Sequence, residues 1–199
     1  MKPIFLLFLL LALPLHVRAG GGDDDNYTTQ RLLVFNDRGE VLLQSNAMGW
    51  STPGQRFDTR LSLRASLDSL AGKYGIRIEN VALAGMLTYE YGFTTALSTR
   101  THYMARIAGG EPKAPDGTRE LRWFSRDEAI AAISADSQKS PPSFVQMTTR
   151  MLREPGTIWG GAFHVWQEGD AYRSRVVEPM YPLGATLWTP AGAVSGDPR

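Results

Sequence analysis

Residues 49–76 read GWSTPGQRFDTRLSLRASLDSLAGKYGI, and this stretch decides the fold because it joins a glycine-bearing loop to one well-marked helix. Ser62 is a favourable N-cap, and Gly75 is the type of residue that ends a helix in the left-handed conformation. An apolar stripe recurs between them at helical spacing and consists of Leu63, Leu67, Leu70 and Tyr74. We therefore predict a helix over residues 61–74 whose apolar stripe packs on the core.

The spacing of the glycines in this segment matches a known motif. In the pattern G-x5-E-x7-R-E-U-x-E-E-x-G-U, U stands for an aliphatic residue. When Gly54 takes the first position, the closing pair falls on Gly75 and Ile76 without a gap, and the internal aliphatic position falls on Leu70. This pattern is the Nudix box, and residues 54–76 resemble a degenerate form of it.

The flanking sequence follows the order found in the same family. Two apolar strands surround an Asn-Asp-Arg-Gly turn in residues 31–44, and a W-x-x-P-G motif begins at Trp50. Downstream, residues 101–107 alternate like a strand, and a second strand containing Trp123 precedes a polar-capped helix. The resemblance to the Nudix superfamily therefore extends over residues 31–152.

The resemblance implies an α/β fold, specifically a Nudix-like α/β/α sandwich with a mixed sheet, over residues 30–155. Residues 143–153 then have helical periodicity, and residues 159–177 read as two strands around a Gln-Glu-Gly-Asp turn. We predict that residues 156–199 form a C-terminal hairpin extension packed on the domain. Its aromatic residues either cover the core or form a lid, a dimer arm or a ligand wall; they are Trp159, Phe163, Trp166 and Trp188.

The acidic positions of the box are occupied by other residue types. Arg60 stands at the first glutamate, Asp68-Ser69 at the Arg-Glu pair, and Gly72 and Lys73 at the two metal-binding glutamates. Nudix enzymes cleave a diphosphate linked to another group by using divalent cations, and such hard cations require oxygen ligands. A lysine at this point repels a cation. The sequence therefore predicts no metal site on this helix and no cofactor, with magnesium or manganese expected only if hydrolysis persists.

Cations replace carboxylates on the outer face of the predicted helix. Arg60, Arg64 and Lys73 are candidate ligand-binding residues because they can meet an anion directly, and the alternative is a solvated charged face. Glu120 is the one candidate catalytic carboxylate, since some Nudix enzymes place an extra acid outside the box. It would need a second acid such as Asp68 beside it to form a metal site. His102 lies in an alternating strand and is predicted to be structural.

Two functions from different classes remain open. The first is a Nudix-like domain that binds a diphosphate-containing or other anionic small ligand, with hydrolytic activity weak or lost. The second is an active hydrolase of a nucleoside diphosphate derivative that uses substituted catalytic residues. The missing glutamates favour the first function, whereas the usual activity of the family favours the second. A homodimer is compatible with either.

The N-terminus indicates export. Lys2 is followed by an apolar run too short for a comfortable transmembrane helix, and Val17-Arg18-Ala19 offers a cleavage site. We predict a signal peptide at residues 1–19 and a disordered leader at residues 20–29, so that the protein is periplasmic or secreted without a stable membrane anchor after cleavage.

Composition restricts the remaining possibilities. The chain has 199 residues, of which 43% are hydrophobic, and this size and apolar content fit a single domain. It contains no cysteine, so disulfides and thiolate metal sites cannot form. The formal net charge is +1 with both signs interspersed, so nucleic acid is not an expected partner.

Overall fold

The computed structural model describes residues 25–135 and 140–188. The predicted signal peptide at residues 1–19, most of the predicted leader and the last part of the predicted extension lie outside these residues. In the part of the chain that is described, no helix is long and apolar enough to cross a membrane.

The described chain forms a nine-stranded sheet flanked by three helices. The strands are β1 (Tyr27–Phe35), β2 (Val41–Asn46), β3 (Gly49–Ser51), β4 (Gly54–Arg56), β5 (Ile76–Tyr91), β6 (Leu97–Gly110), β7 (Glu120–Phe124), β8 (Thr157–Glu168) and β9 (Ala171–Ala185). The helices are α1 (Leu63–Lys73), α2 (Arg126–Ala135) and α3 (Pro142–Arg153).

The sheet is mixed, as predicted. Its main order is β3-β2-β1-β6-β5-β8-β9, while β4 pairs with β1 and β7 pairs with β2. The β1–β6 and β5–β8 pairs are parallel, and the other pairs are antiparallel. Strand β1, which precedes the box, and strand β6, which follows it, thus pair near the centre of the sheet.

Two apolar layers lie on opposite faces of this sheet. Leu32 and Val34 of β1 pack with the buried side of α1, whereas Leu33 and Phe35 pack with α2 and α3. Successive side chains of a strand point to opposite faces, so one apolar run supplies both layers. The predicted α/β/α sandwich is confirmed.

Helix α1 begins and ends where its capping residues predict. The side chain of Ser62 accepts a hydrogen bond from the backbone N–H of Ala65, and Gly75 has a φ of +73°. One packing prediction is wrong, because Leu63 is 52% exposed. It lies in the run 59–65, which is exposed throughout, and the inward stripe begins only at Ser66.

The C-terminal helix and hairpin are also confirmed. Strand β8 pairs with β5, so the hairpin extends the central sheet. Trp159, Phe163 and Trp188 are buried in the core below α3, which supports the core assignment for these aromatic residues.

The start of the domain also differs from the prediction. Strand β1 begins at Tyr27, so residues 27–29 belong to the sheet rather than to the leader. They are ordered by pairing with both β4 and β6, a long-range contact that local composition does not reveal.

Candidate functional site

The outer face of α1 carries the positions that are acidic in a complete Nudix box. Ser69, Gly72 and Lys73 are all exposed on this face. The Lys73 ammonium donates a hydrogen bond to Gln55 Oε1 at 2.7 Å, and Gln55 Nε2 in turn donates to the Ser66 carbonyl at 2.8 Å. Lys73 is therefore held over the loop that enters the helix, with a neutral amide as its partner.

The other two predicted ligand-binding cations are paired with carboxylates. Arg60 binds Asp58 through Nε and Nη2 at 2.9 and 2.8 Å, and this hydrogen bonding lowers the pKa of Asp58 to about 2. Arg64 binds Asp68 at 2.9 Å and donates from Nη2 to the Ile78 carbonyl at 2.8 Å. Of the three predicted cations, Lys73 alone has a neutral side chain as its hydrogen-bond partner.

Glu120, the candidate catalytic residue, lies at the first position of β7. Its side chain is 52% exposed and lies 3.8 Å from Arg122 Nη1. Asp68, the acid that a revived metal site would need, is paired with Arg64 of its own helix. Each of these carboxylates is thus paired with an arginine of its own element.

A cavity lies on the opposite side of the sheet, between β1, β3 and the helices α2 and α3. It encloses about 580 Å³ of space free of protein atoms, its open mouth included. Its apolar wall consists of Met48, Trp50, Ile133, Phe144, Val145 and Met147. Its polar groups are Asn46, Ser51, Ser140, Thr148 and a single charged residue, Arg31. Among the residues that the structure describes, no carboxylate lines it, so this part of the lining is apolar and cationic.

Two more basic residues lie beside Arg31 on the same face of the sheet. His102 of β6 is the register partner of Arg31, and Arg100 precedes it by two residues and so points to the same side. Arg31 Nη1 donates to the Thr52 carbonyl at 2.8 Å, and Arg100 Nη2 donates to the Tyr91 hydroxyl. Neither arginine forms an ion pair within residues 25–135 and 140–188.

Burial lowers the pKa of two of these basic groups, Arg31 and His102. Burial and the nearby positive charge of Arg100 lower the pKa of Arg31 to about 10, so the guanidinium stays charged at neutral pH. Burial, followed by the charges of Arg31 and Arg100, also holds the pKa of His102 well below its usual value. His102 is fully buried, as a structural histidine is, but neither ring nitrogen has a hydrogen-bond partner in the described chain.

Aromatic rings cover the second arginine. The guanidinium carbon of Arg100 lies 4.1 Å from the ring centre of Phe144 and 4.8 Å from that of Tyr89. Phe144 is also part of the cavity wall. Cation–π contact offsets part of the cost of burying this charge.

The arrangement of strands and helices matches solved structures. The mutator MutT protein from Bacillus halodurans superposes with a TM-score of 0.57 at 18% identity, over 74% of this chain and 97% of that one. The MutT protein from Methanosarcina mazei Go1 gives 0.51 at 17%, over 67% and 97%. A NUDIX hydrolase from Nitrosomonas europaea gives 0.51 at 16%, over 62% and 86%.

This chain has the Nudix fold. No protein-family model matches the sequence, and no curated protein does either, so the likeness is one of architecture. The fold predicted from the glycine spacing and the flanking strands is confirmed.

The residues at the Nudix metal positions do not fit a divalent cation. Ser69, Gly72 and Lys73 carry no carboxylate, and the Lys73 ammonium is bonded to Gln55 beside them. Within residues 25–135 and 140–188, no group of three or more histidine, aspartate or glutamate side chains is arranged to hold a metal ion. A hard cation needs several oxygen ligands, whereas this face offers the amide of Gln55 and the positive charge of Lys73.

Gly54, the first glycine of the box, lies against the side chain of Arg31, which lines the cavity. A Cβ on Gly54 would lie 3.1 Å from Arg31 Cγ and 3.4 Å from Arg31 Cζ, so this glycine leaves room for the Arg31 side chain. Arg31 and Arg100 were not among the predicted site residues. Their signal was present as charged residues within strands that are otherwise largely buried, but Phe144, which covers Arg100 and lines the cavity with Arg31, comes from the distant helix α3.

Proposed function

We propose that this Nudix-fold domain binds a small anionic ligand and that α1 no longer supports metal-dependent hydrolysis. The observation that carries the proposal is the Lys73–Gln55 hydrogen bond at the position of the metal-binding glutamates. A positive charge held there by a neutral partner opposes a cation and favours an anion.

The distribution of charge elsewhere supports an anionic ligand. Arg100 is buried and Arg31 is partly buried, both without a carboxylate partner in the described chain, and Arg31 lines an open cavity. Proteins that bury a charge usually pair it, because desolvation costs several kcal/mol per ion. A ligand that brings a negative charge would supply the missing partner.

The test compares binding with turnover. Magnesium or manganese is titrated calorimetrically into the protein with and without adenosine diphosphate, and hydrolysis of adenosine diphosphate ribose is followed over hours. The proposal expects the nucleotide to bind without added metal and without product formation. Magnesium-dependent hydrolysis that disappears in Glu120→Gln would contradict it and establish the hydrolase alternative, with catalytic ligands outside α1.

We also propose that the protein is exported, on the basis of its first 19 residues. N-terminal sequencing of the periplasmic or secreted fraction is expected to begin at Gly20. Recovery of chains that begin at Met1 from the cytosol would refute export.

A further inference from the structure

Strand β9 forms one end of the sheet, and its outer edge is long. The strand has 15 residues, and within residues 25–135 and 140–188 it pairs with β8 alone. The strand at the other end, β3, has three residues. An edge strand presents unpaired backbone N–H and C=O groups, so the outer edge of β9 is a surface to which another strand can be added.

Apolar side chains are exposed along this strand. Its large exposed apolar residues are 41% to 49% exposed and are Val176, Val177, Tyr181 and Leu183. The strand itself is fixed in place, because Tyr172 and Met180 pack against the core. In addition, the backbone N–H of Ser143 in α3 donates to Ser174 Oγ at 3.0 Å. A rigid strand with exposed apolar side chains is suited to an interface, where burial removes those side chains from water.

Two charged residues flank the adjacent valines. Arg175 and Glu178 are both exposed, and neither forms an ion pair within residues 25–135 and 140–188. The order Arg175-Val176-Val177-Glu178 is complementary to itself when two copies run in opposite directions. About a two-fold axis, the arginine of each copy lies opposite the glutamate of the other, and the valines lie opposite each other.

A β-bulge gives the two charged side chains the same orientation. In a regular strand, residues three apart point to opposite faces. Glu178 is paired with Ala162 of β8. Arg175 is paired with His164, which lies only two residues further along β8. Val177 is thus an extra residue, and both charges point to the same face, as two Arg–Glu pairs across a two-fold axis require.

Two prolines limit the length of edge that can pair. Pro179 and Pro182 have no backbone N–H group and cannot donate to a partner strand. Continuous backbone pairing therefore ends before Pro179, and the segment centred on the two valines is the part of the edge left for a second copy. An interface of this small size is typical of weak, reversible association.

We propose that a second copy of this chain binds the outer edge of β9. The two β9 strands run antiparallel across a two-fold axis between Val176 and Val177, with Arg175 of each copy opposite Glu178 of the other. The sheets of the two copies then continue into each other. The inference does not depend on the proposed function, because neither Lys73 nor Arg31 takes part in this edge.

Charge reversal tests the predicted pairing. Small-angle X-ray scattering over a concentration series is expected to show reversible dimers of the unmodified protein. Arg175→Glu and Glu178→Arg are each expected to weaken dimerisation by about tenfold or more, because each places two like-charged pairs in the interface. The double variant that carries both changes is expected to regain the affinity of the unmodified protein. An unmodified protein that stays monomeric at about 1 mM overturns the proposal.

Mixing the two single variants gives a sharper test. The Arg175→Glu chain presents two glutamates and the Glu178→Arg chain presents two arginines, so a heterodimer contains two attractive pairs. With donor and acceptor dyes at the N-termini, energy transfer is expected to be stronger in the mixture than within either variant alone. Equal transfer in all three samples overturns the proposed register, as does a folded double variant that dimerises as weakly as the single variants.

The matched controls reverse one charge of each sign away from β9. Arg126 begins α2, which contacts β2, β3 and β7 at the other end of the sheet, and Glu111 lies beside Gly75 at the end of α1. Arg126→Glu and Glu111→Arg are expected to dimerise like the unmodified protein, and loss of dimers in either would overturn the assignment to β9. Circular dichroism melting establishes that each variant is folded, and if a single variant does not fold, the double variant carries the comparison.

Discussion

The two glycines near the end of α1 are expected to respond to alanine in opposite directions. Gly72 lies within the helix, and a Cβ added there would meet no atom within 4 Å. Gly75 has a φ of +73°, and a Cβ added there would lie 2.7 Å from the Glu111 carbonyl oxygen. Gly72→Ala should therefore stabilise the fold by up to about 1 kcal/mol, the difference in helix propensity.

Gly75→Ala should instead destabilise it by about 2 kcal/mol or more. The left-handed conformation costs a residue with a Cβ about 1–2 kcal/mol, and the close Glu111 carbonyl adds to this. Urea unfolding followed by circular dichroism measures both effects. With a slope of about 1–3 kcal/mol/M, the Gly75→Ala midpoint should fall by about 1 M and the Gly72→Ala midpoint should rise.

This pair tests whether the glycine at position 72, where a complete Nudix box has a glutamate, is required by the backbone. If Gly72→Ala stabilises the protein, the backbone does not require glycine there, and the missing carboxylate is a chemical change on an intact scaffold. A marked loss of stability in Gly72→Ala would refute this reasoning, and an unchanged midpoint in Gly75→Ala would refute the assigned end of the helix.

The remaining predictions concern charge. The triple substitution Ser69→Glu, Gly72→Glu and Lys73→Glu should raise magnesium affinity by about tenfold or more, because three carboxylates replace a neutral and cationic face. The matched triple substitution to glutamine should not raise it, and calorimetric titration of magnesium compares the two variants. His102→Leu should reduce the acid sensitivity of folding. The pKa of His102 is depressed in the folded state, so its stabilising contribution is present above an unfolded pKa of about 6.5 and is lost as pH falls further. Melting temperatures at pH 7 and pH 5 should therefore differ less in His102→Leu, and an equal difference in both proteins would argue against a neutral buried histidine.

Local sequence signals predicted α1 and much of the sheet. The Ser62 and Gly75 caps act within a few residues of the helix they bound, and the apolar run of β1 reflects burial on both faces of the sheet. These features depend on nearby residues, so the sequence displays them directly. The exposure of Leu63 was not predicted, because helical periodicity gives the direction of a side chain but not whether a neighbouring element contacts it.

The candidate cavity depends on contacts that local patterns cannot show. Arg31 and Phe144 are far apart in the sequence, and they line one cavity because α3 packs on the face of the sheet to which Leu33 and Phe35 of β1 also point. The sequence predicts a ligand on the outer face of α1, because the positions of the Nudix box lie there. The ion pair of Arg60 with Asp58 became visible only with side-chain positions, and the ligand-binding role of Arg60 and Arg64 stays a prediction.

The most direct test of the central claim is a manganese titration followed by NMR of the backbone amides. Bound manganese broadens the signals of nearby residues, so it locates a metal site without requiring turnover. We predict that the signals of Ser69, Gly72 and Lys73 persist at equimolar manganese, because none of these three residues carries a carboxylate to hold the ion. Selective loss of these three signals at substoichiometric manganese would contradict it.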